Sequence, residues 1–239
     1  MDKGCDFGRG VIGIFDSGVG GFNALCDVRR ALPLADILYL ADRDNAPYGT
    51  KSKDQLIRLV KNDIKRLVEL GADIILIACC TASTIYSELD EGERHISIPI
   101  IRPAARVAAQ GKRISVIATD ATVASHAFSR EIRAVSNNVT VTEICAQTLV
   151  GIVERMVHEC QRNDDFTALS EIINTIKRTN PDTLVLGCTH FSHLGEIFEK
   201  NLDGVRIVSP AAEGARELVL RYKNEKSPLF RERGRTVYL

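Results

Sequence analysis

The sequence predicts an α/β fold with mainly parallel sheets. Three observations point there: short Val/Ile/Leu-rich runs recur, amphipathic stretches alternate with them, and one segment is echoed 109 residues later. The strand-like runs are Val11–Phe15, Ile37–Leu40, Ile74–Ala78, Ile98–Ile101, Ile114–Ala118, Val139–Ile144, Thr183–Gly187 and Val205–Val208. They are apolar throughout, as expected of strands covered by helices on both faces.

The clearest helix spans Lys53 to Leu70. Ser52 and Gln55 form a capping box, Leu56, Leu59, Val60, Ile64, Leu67 and Val68 line one face, and Gly71 stands where a terminating glycine belongs. Further helices are expected over Gly21–Leu32, Ala82–Leu89, Thr122–Val135, Leu149–Cys160, Phe166–Lys177, His190–Lys200 and Ala211–Tyr222.

The echo pairs Asp73-Ile-Ile-Leu-Ile-Ala-Cys79 with Asp182-Thr-Leu-Val-Leu-Gly-Cys188, with the same Asp-x5-Cys spacing. Two similar α/β halves would produce it. A looser pair, Val11–Asp16 against Ile114–Thr119, is explained better by the general likeness of buried strands.

Composition narrows the function. The 239 residues, 45% hydrophobic, can fill one large or two small cores. Lys and Arg (31) balance Asp and Glu (31), so neither a nucleic-acid grip nor a membrane-surface role is favoured. No apolar run approaches the ~18 residues of a membrane span. The N-terminal MDKGCDFGRG is charged and has no apolar core, so no secretory signal is read there. Seven scattered cysteines (Cys5, Cys26, Cys79, Cys80, Cys145, Cys160, Cys188) argue against a disulfide framework and for a reduced cytoplasmic compartment.

Cys79 and Cys188 each end an apolar strand and precede a helix, at the edge where open α/β sheets bind ligands. A helix N-terminus favours a thiolate there, able to act as base or nucleophile. Inert packing is the competing reading for either cysteine alone. Thr81 and Thr189 follow within two residues, and Cys80 can face the site or the helix packing. Cys79, Cys80, Cys188 and His190 are metal-ligand types, but adjacent cysteines and the missing CxxC spacing argue against zinc. Cys188 with His190 is also a spacing that a cysteine hydrolase could use.

The loop Asp16-Ser-Gly-Val-Gly-Gly21 follows the first strand, but its third dinucleotide glycine would fall at Asn23 and no Walker lysine is present. It remains a Gly-rich turn presenting Asp16, Ser17 and backbone N–H groups to a small carboxylate, or a plain turn capped by Asp16. Asn45-Ala-Pro-Tyr-Gly49 is likewise a tight turn, with Tyr48 between Pro47 and Gly49 placed to cover a pocket.

In combination, GIFDSGVGG (Gly13–Gly21), PYGTKS (Pro47–Ser52), IAC-x-TAS (Ile77–Ser83) and LGCTH (Leu186–His190) resemble the glutamate racemase family, within the cofactor-independent aspartate/glutamate racemase superfamily. The resemblance runs from about Val11 to Tyr238. It implies two similar doubly wound α/β domains, with the active site in the cleft between them. The implied boundaries are residues 1–101 plus 208–239 for the first domain and 102–207 for the second.

By the same resemblance, Cys79 and Cys188 are the two catalytic thiols, serving D- and L-glutamate respectively, with His190, Asp16 and Glu154 supporting them. Substrate contacts fall on Asp16, Ser17, Pro47, Tyr48, Gly49, Cys80, Thr81, Thr122, Thr189 and His190. No metal or cofactor is implied. The implied partner is glutamate, the assembly a homodimer, and the role a supply of D-glutamate for peptidoglycan. A racemase of another small acidic compound, an amino-acid-binding relative with weakened catalysis and a cysteine hydrolase are the alternatives.

The chain also departs from the family pattern. Cys80 stands where the family has asparagine, trading an amide for a weak hydrogen-bonding thiol. Ser192 replaces a proline, and Ala118-Thr-Asp-Ala-Thr122 replaces a Gly-Thr opening. Family members continue beyond Leu239, where this sequence stops, which reads either as a shortened natural protein or as a missing part of the first domain. The basic run from Arg221 to Arg235 reads as a solvated edge.

Overall fold

The computed structural model describes residues 10–18, 20–157, 163–225 and 234–239. Cys5, Cys160, the expected end of the Leu149–Cys160 helix and most of the Arg221–Arg235 run lie outside the described residues. Nine strands are described: β1 Val11–Asp16, β2 Ile37–Ala41, β3 Ala72–Ile77, β4 Ser97–Pro99, β5 Arg113–Ala118, β6 Thr140–Cys145, β7 Thr183–Gly187, β8 Arg206–Val208 and β9 Thr236–Tyr238. The described helices are α1 Phe22–Ala31, α2 Lys53–Glu69, α3 Cys80–Ser83, α4 Glu91–Ile96, α5 Ile101–Ala108, α6 Asp120–Ser125, α7 Ala127–Val135, α8 Thr148–Val157, α9 Asn163–Arg178, α10 Gly195–Asn201 and α11 Pro210–Glu225.

The strands form two all-parallel sheets, ordered β4-β3-β1-β2-β9 and β6-β5-β7-β8. Read from the opposite edge, the second sheet repeats the first, so β1, β2, β3 and β4 correspond to β5, β6, β7 and β8. Val11–Asp16 and Ile114–Thr119 therefore do correspond, and attributing their likeness to burial alone is corrected.

Each sheet is covered on both faces. Ile12 and Ile14 point toward α1 and α11, while Val11 and Phe15 pack with Leu56, Val60, Ile64 and Leu67 of α2. In the second sheet Ile114 and Val116 meet Phe128 and Ile132 of α7, and Ile117, Leu184 and Leu186 meet α8 and α9. Strands buried on both faces lose the polar–apolar alternation, as their sequences had indicated.

The start of α2 is as the sequence predicts. The Ser52 side chain accepts from Gln55 N–H, the Gln55 side chain accepts from Ser52 N–H, and Gly71 adopts φ 95° just past the end. Other elements differ. The strand expected over Ile98–Ile101 ends at Pro99, and Ile101 opens α5, which tolerates Pro103 in its first turn. The helix expected over Ala82–Leu89 is the short α3 followed by a 3-10 turn at Tyr86–Glu88.

Thr122–Val135 is not continuous, because His126 adopts a left-handed φ of 52° between α6 and α7. There Ser125 donates to Thr122 C=O and accepts from Ala127 N–H, a local alternative to helix bonding. The helix expected from His190 begins instead as a 3-10 segment, Thr189–Leu194, before α10. β9 extends the first sheet beside β2, tied by Arg29, which donates to Arg235 C=O at 2.8 Å and to Thr236 Oγ1 at 2.6 Å. Among the described residues, no helix is long and apolar enough to cross a membrane.

Candidate active site between the two sheets

The carboxyl ends of the two sheets converge on one small cavity. It is lined by Ser17 and Gly18 after β1, Ala46–Gly49 after β2, Cys79–Thr81 after β3, Thr119 after β5, Gln147 with Val150 and Glu154 on and before α8, and Cys188–His190 after β7. Every lining segment follows a strand, as the binding rule for open parallel sheets requires. The cavity is narrow, about 30 Å³, which is too small for an amino acid. Admission of a ligand therefore requires the two halves to part. A larger cavity of about 570 Å³ lies between Lys51–Lys53 and Arg130 and contains no thiol.

Cys79 is the N-cap of α3, and its Sγ accepts from Ala82 N–H at 3.4 Å. Ser17 Oγ lies 3.5 Å from the same sulfur. Burial and the nearby Asp16 carboxylate push the Cys79 thiol up to about 11, against the opposing hydrogen bonds of Ser17 and Ala82. Cys188 occupies the equivalent position after β7. Its Sγ lies 3.7 Å from His190 Nδ1, and Glu154 Oε1 lies 3.6 Å from His190 Nε2. Burial pushes the Cys188 thiol well up, with Cys79 and Asp16 adding to the rise.

The hydroxyls form two groups. Thr81, Thr119 and Thr122 make a buried triangle with Oγ1 separations of 3.0, 3.1 and 2.9 Å, linking the loop after β3 to that after β5. Thr189 donates to Asp16 Oδ1 at 3.2 Å, joining the loops after β7 and β1. Asp16 is fully buried and also accepts from Gly18 N–H at 2.9 Å. Burial raises its pKa despite these bonds and His190.

The structure thus brings Ser17, Pro47, Tyr48, Gly49, Cys79, Cys80, Thr81, Glu154, Cys188, Thr189 and His190 to the cavity wall. Asp16 and Thr122 stand behind that wall and act on it through Thr189 and Thr81. Tyr48 presents its ring to the cavity, while its hydroxyl turns away toward Asp42 and Asp63. Cys80 faces both ways, lining the cavity and belonging to the apolar core that also holds Ile14, Ile98 and Ile100. Sequence reasoning missed Thr119 and Gln147. Both follow strand ends, β5 and β6, and that position was the available signal. Among the described residues, no three His, Cys, Asp or Glu side chains are grouped as metal ligands.

The family profile described as Asp/Glu/Hydantoin racemase matches residues 28–218. A glutamate racemase from Microcystis aeruginosa is 37% identical over 230 residues, covering 91% of this chain and 80% of the relative. The glutamate racemase isoform of Bacillus anthracis superposes with a TM-score of 0.86 at 27% identity, covering 96% of this chain and 88% of that one. The Francisella tularensis glutamate racemase in complex with D-glutamate gives a TM-score of 0.84 at 27% identity, covering 95% and 87%. With two parallel-sheet halves facing each other across a thiol-lined cavity, and matches that span most of its length, this chain belongs to the Asp/Glu/hydantoin racemase family.

Proposed function

We propose that this protein is a glutamate racemase that moves the α-proton between two thiols. The observation that carries the reading is the placement of Cys79 and Cys188 at equivalent strand ends of the two halves, both on one cavity. Racemisation needs a base on one face of Cα and an acid on the other. One sulfur enters as thiolate and takes the α-proton. The other enters as thiol and returns a proton to the opposite face, and the roles exchange for the other enantiomer.

Burial disfavours either thiolate in the closed, substrate-free cleft. The substrate's ammonium group, entering between the sulfurs, offsets that cost, and a thiolate of raised pKa is the stronger base toward a weakly acidic α-hydrogen. His190 takes up the Cys188 proton, with Glu154 orienting the imidazole and balancing its charge. Ser17 serves Cys79. The hydroxyl and backbone N–H groups around the cavity hold the substrate carboxylates as negative charge develops at Cα, in a site from which closure removes water.

The division between the halves follows the sheets, with residues 1–101 and 208–239 forming one domain and 102–207 the other. The Francisella relative, which holds D-glutamate, supports the choice of substrate. D-Glutamate supply for peptidoglycan, a cytoplasmic location, a homodimer and independence of any cofactor complete the reading.

The line Cys188–His190–Glu154 also has the nucleophile–base–orienter order of a cysteine hydrolase. A hydrolase has no use for Cys79 on the same cavity. Dialysed protein supplied with L-glutamate alone should therefore form D-glutamate, with Cys79→Ser as inactive as Cys188→Ser. An active Cys79→Ser variant, or acylation of Cys188 by ester substrates without racemisation, contradicts the proposal.

A further inference from the structure

We infer that Asp63 is a positioning residue for this cleft: it carries a proton to the buried side of Tyr48 and so fixes the Pro47–Gly49 loop against the other half of the molecule. The inference rests on the racemase reading for its kinetic consequences, but not for its chemistry.

Asp63 sits on the core face of α2, among Leu56, Val60, Ile64 and Leu67, where the helical period calls for an apolar side chain. It is 4% exposed and forms no salt bridge among the described residues. Its contact is Tyr48, 1% exposed, whose Oη lies 2.9 Å from Asp63 Oδ2 and 2.6 Å from Asp42 Oδ2. Asp42 in turn accepts from Asn45 Nδ2 at 2.9 Å.

Tyr48 has a single phenolic hydrogen for two acidic neighbours. If both carboxyls were ionised, one of these short contacts would oppose lone pairs in a buried, low-dielectric setting. One additional proton resolves the arrangement: Asp63 O–H donates to Tyr48 Oη, and Tyr48 O–H donates to Asp42. Burial, together with Asp42, pushes the Asp63 carboxyl up to about 7, against Tyr48 and the Arg66 side chain. Those three are the titratable or charged groups that bear on it; β1 and β2 present Phe15, Leu38 and Leu40 to this side of α2.

The loop so held is the lip of the cleft. Gly49 abuts the opposite half so closely that an added Cβ would lie 2.6 Å from Gln147 Oε1 and 2.8 Å from Thr119 Cβ. Below pH 7 the proton chain is complete. As pH rises through about 7, Asp63 ionises, the phenol must be shared, and the loop loses one of its two anchors.

The test compares wild type with Asp63→Asn, whose amide N–H donates to Tyr48 at every pH, and with Asp63→Leu. Infrared difference spectra of wild type against Asp63→Asn should show a protonated-carboxyl band that disappears as pH rises through about 7. In racemisation assays the wild-type KM for glutamate should rise about fivefold across that interval, the worth of one hydrogen bond. KM should stay low and flat in Asp63→Asn and high and flat in Asp63→Leu, with kcat little changed. A missing carboxyl band, or an Asp63→Asn variant that keeps the wild-type rise, overturns the inference. If glutamate is not turned over at all, the racemase reading fails separately. Hydrogen exchange of the Tyr48–Thr50 amides then decides, and must be faster in wild type than in Asp63→Asn above pH 7.

Discussion

Asp73 and Asp182 perform the same task in the two halves of the molecule. Asp73 Oδ2 accepts from the N–H groups of Gly10 and Val11 at 2.6 and 3.0 Å, at the start of β1. The Asp182 carboxylate accepts from Lys112 N–H at 3.0 Å and Arg113 N–H at 2.9 Å, at the start of β5. Each aspartate thereby anchors the strand beside its own, and six residues further along its own segment a cysteine reaches the cavity. Replacing either aspartate with alanine should lower stability by about 1.5–3 kcal/mol, the range for hydrogen bonds to a charged acceptor. The urea midpoint measures it.

Asp182 and Asp63 should affect stability with opposite pH dependence. Burial opposes ionisation of Asp182, but the N–H groups of Arg113 and Lys112 win and hold its pKa below the ordinary carboxylate value. Its contribution is therefore present above about pH 4 and lost as pH falls through its folded pKa. Asp63, raised to about 7, contributes most below about pH 4, and its contribution is lost as pH rises through 7. Denaturation of Asp182→Asn across acid pH, and of Asp63→Asn between pH 5 and 8, should each show a flatter profile than wild type.

Much of this arrangement was legible in the sequence. The repeated Asp-x5-Cys is the sequence form of the anchoring just described, because strand length fixes the distance from anchor to cysteine. The Ser52–Gln55 capping box was equally readable, being purely local. A similar box at Asp90–Glu93, which starts α4, went unread because no long apolar face follows it. β9 has only three residues and depends on Arg29 and Asp36, 206 and 199 positions from Arg235. The break at His126 depends on side-chain hydrogen bonds of Ser125 that no apolar periodicity reports. Asp63 was invisible for a related reason. One acid within an apolar stripe gains meaning only when Tyr48 is seen against it.

Removing either sulfur should be far more damaging than any loss of fold. Cys79→Ser and Cys188→Ser should each reduce kcat by about 10²–10⁴ or more in both directions, the usual worth of a positioned acid or base. Thermal midpoints should change little. Activity comparable to wild type in either variant would remove that thiol from the reaction.

Cys80 is where binding and packing conflict. On the proposed racemase reading, the amide of Cys80→Asn adds a hydrogen bond to the substrate, and KM for glutamate should fall by about fivefold or more. The same amide is buried in the apolar core that holds Ile14, Ile98 and Ile100, so stability should drop by about 1–3 kcal/mol. Paired measurement of KM and denaturation midpoint checks both.

Closure of the cleft should depend on the absence of a side chain at position 49. In Gly49→Ala the new methyl meets Gln147 and the Thr119 side chain. We expect kcat/KM to fall about tenfold or more, with a smaller loss of stability, because the halves already meet at Gly49 in the substrate-free structure. Steady-state kinetics beside a melting curve will show whether the two effects separate.

The most direct measurement of the two-thiol account is the fate of the α-hydrogen in D2O. With L-glutamate as substrate and conversion kept low, deuterium should appear at Cα of the D-glutamate formed, while recovered L-glutamate remains protiated. A proton taken by one sulfur and a deuteron supplied by another requires that partition. Deuterium accumulating equally in recovered L-glutamate, or D-glutamate formed without deuterium, would contradict it.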